Sequence, residues 1–271
     1  MQLVLLTCLT MLAFAANSVL NRAAVGSGRI DPVVFAVVRL AAGAGMLALL
    51  LAWRGRVWPG WSGRVQGVAG LLVYLFGFSA AYLVLDAGTG ALILFGMVQI
   101  TMFLGALAAG EGLPPRRLAG AGLALAGLVI LLAPKGGALA PQLAMVAAGI
   151  GWGVYSLAGR GQSDPLAATG WNFLLALPFG LIMLAIWPGH WTGAGLALAV
   201  VSGAVTSGLG YALWYRVVPL LGASRAGVAQ LCVPLIAAVG GFVVMGEAPG
   251  LWFWAAAALV LGGIGVAVSK R

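Results

Sequence analysis

The sequence predicts an all-α integral membrane protein: ten transmembrane helices arranged as two inverted five-helix repeats. Three observations carry that prediction. First, 63% of the 271 residues are hydrophobic and the mean hydropathy is +1.11. Second, only 7% are charged, against about 25% in a soluble domain, which is too few to build a water-facing surface. Third, apolar runs of roughly the 20 residues that a crossing needs recur ten times, and the chain resembles itself at a shift of 136 residues.

The runs fall at about 3–23, 32–53, 66–85, 88–109, 118–133, 141–159, 166–187, 196–217, 226–245 and 251–268. They are continuous rather than alternating, so they read as helices and not as barrel strands. The first, "MQLVLLTCLTMLAFAANS", could pass for a secretory leader with Ala13-Phe14-Ala15 as its cleavage site. It lacks the basic n-region of a leader and is read as the first crossing. Gly and Pro punctuate the breaks, as at Asp31-Pro32, Pro59-Gly60, Pro114-Pro115, Asp164-Pro165, Pro188-Gly189 and Pro249-Gly250. Ten crossings leave only short loops and no sizeable soluble domain.

Lysine and arginine set the orientation. With a cytoplasmic N-terminus, Arg54, Arg56, Arg64, Arg116, Arg117, Arg160, Arg216, Arg225, Lys270 and Arg271 fall inside, and Arg22, Arg29 and Lys135 fall outside. That bias places both termini in the cytoplasm of a bacterial-type inner membrane. The net charge of +9 is then a topology signal rather than a nucleic-acid patch. Cys8 and Cys232 lie in apolar runs and form no metal or CxxC spacing.

At the shift of 136, Gly110-Glu111 falls on Gly246-Glu247, Gly105 on Gly241, Leu123 on Leu259, Leu125 on Leu261 and Gly127 on Gly263. Asp31-Pro32 and Asp164-Pro165 correspond at a shift of 133. The chain therefore divides into a first repeat, 1–136, and a second, 137–271. Five is odd, so the second copy enters the membrane from the opposite side. Secondary transporters share this design and bind substrate near the midplane between repeats. Glu111 and Glu247 become equivalent residues at the junction of the fourth and fifth helices of each half. Both read as structural, each near the start of the next helix, where negative charge is favoured.

The segment "YALWYRVVPLLGASRAGVAQLCVPLIAAVGGFVVMGE", 211–247, resembles the second repeat of the drug/metabolite transporter superfamily, EamA type. Leu-Trp-Tyr-Arg, Leu-Gly-Ala-Ser-Arg-Ala, Pro234 and the terminal Gly-Glu carry the likeness. The first half fits through Arg39 and Gly110-Glu111 but has Val98 where Pro234 would correspond. The resemblance implies ten helices in two inverted repeats and export of small metabolites. In length and aromatic content the chain looks most like the YddG-like exporters of aromatic amino acids.

Several side chains are candidates for substrate binding. Arg39 is the one charge well inside a run: it is either a handle for a substrate carboxylate or an arginine that snorkels or caps carbonyls. Tyr74, Phe78 and Tyr82 form a stripe at helical spacing, mirrored by Tyr211, Trp214 and Tyr215, with Trp152 and Tyr155 added from the sixth run. Such rings suit a flat or cationic substrate, or else belong to the interfacial belt or the core. Asn17, Gln99, Asn172 and Gln230 are buried amides that would either bind an amino acid or join helices. Gly149/Gly153, Gly203/Ser207 and Gly120/Ala124 have small-xxx-small spacing, and Pro178 and Pro234 are potential kinks. No carboxylate lies within a run, which points to facilitated transport without obligatory proton coupling. No P-loop, metal cluster or nucleophile–base pair is present; His190, the single histidine, is in a loop. The expectation is a transporter with no enzymatic activity and no cofactor, working as a monomer on small molecules such as amino acids. Other amino acids, nucleosides or amphipathic drugs are alternative cargoes, and a channel is the alternative mechanism.

Overall fold

The computed structural model describes residues 2–55, 58–110, 115–133, 139–160, 162–221 and 229–268. Its elements are helical. They are α1 (Gln2–Asn21, running on as a π-helical turn over Arg22–Gly26), α2 (Pro32–Arg54), α3 (Arg64–Ala81), α4 (Ala87–Ala108) and α5 (Pro115–Leu132), followed by α6 (Leu139–Gly159) and α7 (Pro165–Ile186). Then come α8 (Gly193–Leu221, with a π-helical middle over Ser202–Leu209), α9 (Val233–Met245) and α10 (Leu251–Val268). Among the described residues, six of these helices are long and apolar enough to cross a membrane, and three more apolar helices are shorter. A 23-residue helix such as α2 rises about 35 Å, enough for the hydrocarbon core, whereas the 13 residues of α9 rise only about 20 Å.

Local chemistry explains the helix boundaries. Pro32 and Pro165 open α2 and α7 at a position where no N–H is required. The Asp164 carboxylate accepts the Ala167 N–H at 3.1 Å, and Thr192 Oγ1 accepts that of Gly195 at 3.1 Å, so α7 and α8 are capped. Asp31, which the sequence pairs with Asp164 at a shift of 133, is used differently. It accepts the His190 N–H at 2.6 Å and faces His190 Nδ1 at 3.0 Å, tying the α1–α2 loop to the α7–α8 loop. The glycines of the two Gly-Glu pairs have a specific task. Gly110 follows α4 with φ +75° and Gly246 follows α9 with φ +72°, a left-handed conformation that favours glycine. Glu111 lies outside the described residues.

Pro178 sits inside α7, as the sequence suggests. Pro234 does not kink a long ninth helix. It stands in the first turn of α9, after a turn at residues 231–232.

The helices pack through small residues. A Cβ on Gly70 would lie 2.6 Å from the Gly151 carbonyl oxygen, and one on Gly151 would lie 2.7 Å from that of Gly70, so α3 and α6 touch backbone to backbone. Contacts also join α5 to α10, α4 to α6, α2 to α7, α2 to α8, α4 to α9 and α1 to α9. Large apolar side chains cover the outside, including Trp53, Val243 and Leu251 at 74–81% exposure. In water that surface would be a liability; against lipid it is ordinary.

At one end of the bundle, Glu247 answers the question of why a carboxylate follows so apolar a helix. Its Oε1 receives Arg22 Nε at 2.6 Å and its Oε2 receives the Ala87 N–H at 2.9 Å. It therefore caps α4 and not, as the sequence suggested, the helix that follows it. Arg22 Nη1 also donates to the carbonyls of Tyr82 and Leu83, and Nη2 lies 3.8 Å from Asp86. Partial burial and the Glu247 charge push the Asp86 carboxyl above its ordinary range, against the pull of Arg22.

Candidate functional site

The middle of the bundle is built around Arg39. It lies in the third turn of α2 and is fully buried. It neither snorkels nor caps a carbonyl among the described residues. Nη2 donates to Tyr74 Oη at 2.7 Å and Nε to Ser207 Oγ at 3.1 Å. The guanidinium carbon stands 5.1 Å from the ring centres of both Tyr74 and Phe78, a cation–π arrangement. Among the described residues Nη1 has no hydrogen-bond partner, and no ion pair includes Arg39.

From Tyr74 a continuous set of rings crosses the bundle. Tyr74 contacts Phe78 at 5.2 Å and Trp152 at 4.9 Å between centroids. Trp152 stacks on Tyr155 at 5.1 Å and 19°, and meets Tyr211 at 5.2 Å. Tyr211 continues to Phe14 and Phe173, and Phe14 to Trp214. Helical spacing explains the grouping: Tyr74/Phe78, Trp152/Tyr155 and Tyr211/Trp214 are i,i+4 or i,i+3 pairs that share a face. Tyr74, Phe78, Tyr155 and Tyr211 are at most 4% exposed, whereas Trp152 and Trp214 are half-buried.

The remaining candidates divide. Tyr82 packs on Phe78 at 4.7 Å and donates to the Ala87 carbonyl at 3.2 Å, which anchors the α3–α4 turn. Asn17 is bound into a polar knot between α1 and α8. Its Oδ1 accepts from Ser202 at 2.8 Å and Thr206 at 2.6 Å, and its Nδ2 donates to the Thr206 carbonyl at 3.4 Å. Gln99 and Gln230 are half-buried. The π-helical middle of α8 supplies Ser202, Thr206 and Ser207 together, a type of irregularity that recurs where helices carry function.

Sequence reasoning missed Phe14, Phe173 and Ser207, which had no signal separating them from lipid-facing or packing residues. It also placed Arg64 among the loop charges that set topology. The structure buries it to 1% exposure at the first position of α3. Its Nη1 donates to the Ala168 carbonyl at 2.6 Å and Asn172 Oδ1 at 2.9 Å. Beside it, Tyr155 Oη donates to Thr169 Oγ1 at 2.9 Å, and Thr169 Oγ1 donates to Tyr215 Oη at 2.8 Å.

A helical bundle sheathed in apolar side chains, with a buried cation set against aromatic rings inside it, defines a multi-pass membrane protein. Comparison with known proteins supplies the family. The EamA-like transporter family model matches residues 1–133 and again 139–269. An uncharacterised protein of Pseudomonas aeruginosa is 48% identical over 98% of this chain and 94% of its own length. The aromatic amino acid exporter YddG of Ancylobacter novellus is 31% identical over 78% of this chain and 76% of its own. An uncharacterised transporter of Archaeoglobus fulgidus is 26% identical over 98% and 97%. One crystal structure, 23% identical, matches 97% of both chains with a TM-score of 0.71 and shares the fold. The chain belongs to the EamA-like transporter family, within the drug/metabolite transporters, and is a transporter of small molecules, not an enzyme.

Proposed function

We propose that this protein exports amino acids, aromatic ones above all, across the bacterial inner membrane by facilitated alternating access. The observation that carries the reading is Arg39: a fully buried guanidinium with one unpartnered N–H, held against Tyr74 and Phe78 at the end of a continuous ring cluster. Leaving such a cation without a counter-charge costs several kcal/mol in a low-dielectric interior, by order of magnitude. A substrate carboxylate would satisfy it, and a flat side chain would lie on Tyr74, Trp152, Tyr155 or Tyr211. A named aromatic amino acid exporter among the relatives points the same way.

Alternating access has support in the packing. Exchanging each helix with the one five places along turns the α4–α6 contact into α9–α1, and returns α2–α7, α4–α9 and α5–α10 to themselves. Those contacts are present, which supports a two-fold relation between repeats dividing near 136. The family model matches the chain twice, once per proposed repeat. The Arg22–Glu247 cluster binds α1, the α3–α4 turn and the α9–α10 turn at one end, which suits a closed outer side with both termini cytoplasmic. No carboxylate sits beside Arg39 among the described residues, in keeping with transport that does not require a proton. Ten helices would enclose the pathway in a monomer surrounded by lipid.

The test is uptake of labelled phenylalanine, tryptophan, threonine and leucine into proteoliposomes, with and without a pH gradient, followed by counterflow. Saturable counterflow of phenylalanine and tryptophan without a gradient is the expected result. Flux that neither saturates nor shows counterflow would make the protein a channel, strict dependence on a pH gradient would overturn the facilitative reading, and preference for leucine or threonine would remove the aromatic specificity.

A further inference from the structure

We propose that Arg64 is a second carboxylate-binding station, near the inner end of the pathway, which takes the substrate's carboxylate before it reaches Arg39. The proposal rests on the amino acid export reading above and adds a site to it.

Arg64 is 1% exposed, and among the described residues its Nε, like Arg39 Nη1, has no hydrogen-bond partner. No ion pair among the described residues includes it. A snorkelling arginine would hold its charge in water, and a topology charge would lie in the loop; Arg64 does neither. Its two bonds from Nη1 go to neutral oxygens, of Ala168 and Asn172. Such partners orient the guanidinium on α7 but leave its charge uncompensated.

The surroundings are those of an anion site. Ala168 and Thr169 are neighbours, so the guanidinium lies beside the Tyr155–Thr169–Tyr215 hydroxyl chain. These groups share one depth. Arg64 opens α3, Thr169 is in the first turns of α7, and Tyr155 and Tyr215 are in the last turns of α6 and α8. Polar groups from four helices, drawn from both halves of the sequence, thus meet around one buried charge.

The geometry also connects this layer to Arg39. Tyr155 stacks on Trp152, Trp152 meets Tyr74, and Tyr74 receives the Arg39 hydrogen bond. Arg64 and Tyr74 are ten residues apart on α3, about 15 Å at the helical rise. Two buried guanidiniums, each with an N–H unpartnered among the described residues, are therefore bridged by the contacting rings of Tyr74, Trp152 and Tyr155. A molecule with one carboxylate and one ring fits that sequence of contacts, passing its carboxylate from one cation to the next while the ring stays on aromatic surface.

The experiment is a titration of the full-length protein in lipid nanodiscs with benzoate, and with benzyl alcohol as the uncharged control. Four proteins are compared: wild type, Arg39→Gln, Arg64→Gln and the double variant. The expected result is that Arg39→Gln still binds benzoate, that adding Arg64→Gln weakens the remaining binding about tenfold or more, and that benzyl alcohol is unaffected. Arg64→Lys keeps the charge without the fork; in the Arg39→Gln background it should weaken benzoate less than Arg64→Gln does, which also guards against misfolding of the glutamine variant. Abolition of benzoate binding by Arg39→Gln alone, or equal loss of benzoate and benzyl alcohol in Arg64→Gln, would overturn the second station. Failure of the wild type to carry phenylalanine would instead sink the export reading, while the benzoate titration would still decide the station.

Discussion

Removing the Glu247 carboxylate should loosen the end of the bundle that it ties together, and its size can be worked from the contacts. Glu247→Ala deletes the 2.6 Å ion pair with Arg22 and the 2.9 Å acceptor for the Ala87 N–H. The pair is mostly shielded, with side-chain exposures of 19% and 12%, so it is worth more than a surface salt bridge. A charge-assisted hydrogen bond contributes about 1.5–3 kcal/mol and an N-terminal cap about 1 kcal/mol. Arg22 keeps its bonds to the Tyr82 and Leu83 carbonyls and its approach to Asp86, which limits the loss. The expected destabilisation is therefore about 2–4 kcal/mol for Glu247→Ala, and roughly half that for Glu247→Gln, which still offers an acceptor to Ala87. The assay is denaturant-induced loss of helicity in mixed micelles, run as a double-mutant cycle with Arg22→Met. A coupling of about 1 kcal/mol or more between the two positions is expected. Strict additivity, or a Glu247→Ala change below about 0.5 kcal/mol, would refute the view that this carboxylate holds the α1, α4 and α9 ends together.

Other perturbations follow the same logic. Asn17→Ala leaves the Ser202 and Thr206 hydroxyls without their shared acceptor, and should cost about 1–3 kcal/mol in the same assay; Asn17→Asp, which keeps the acceptor oxygen but adds charge, should not rescue it. Gly70→Ala places a methyl 2.6 Å from the Gly151 carbonyl, so α3 and α6 must part, with a loss of about 1–3 kcal/mol; an unchanged unfolding midpoint would show that these helices do not touch. The His190 ring should titrate above its ordinary value, because the Gly28 carbonyl accepts from its Nε2 at 2.8 Å and Asp31 lies beside its Nδ1. A raised value means that the protonated ring is favoured in the folded state. Its contribution is complete below about pH 6.5 and is lost as pH rises through the folded value. Ring NMR of the single histidine measures the value, and Asp31→Asn should lower it.

Much of this architecture was legible from composition and period alone. Hydrocarbon offers no hydrogen bonds, so a chain this apolar must satisfy its backbone internally, and uninterrupted runs leave helices as the solution. The self-similarity of the sequence aligns Gly110 with Gly246, and their positive φ angles show why glycine stands at both. Arg39 stood out because one charge inside an apolar run has few acceptable surroundings.

What required the tertiary structure was the identity of each polar group's partner. Sequence put Glu247 near the helix that follows it, yet α4, remote in the chain, brings its own unpaired N–H closer. Asn17 and Arg39 were alike as buried polar candidates; only packing shows Asn17 surrounded by α8 donors and Arg39 with an N–H to spare. Arg64 read as a loop charge because its neighbours in sequence are polar, and its burial is created by α7, more than 100 residues away. Local pattern fixes which segments enter the membrane, since each helix satisfies its own backbone. Side-chain charges and amides are satisfied across helices, and that pairing is decided by which faces meet.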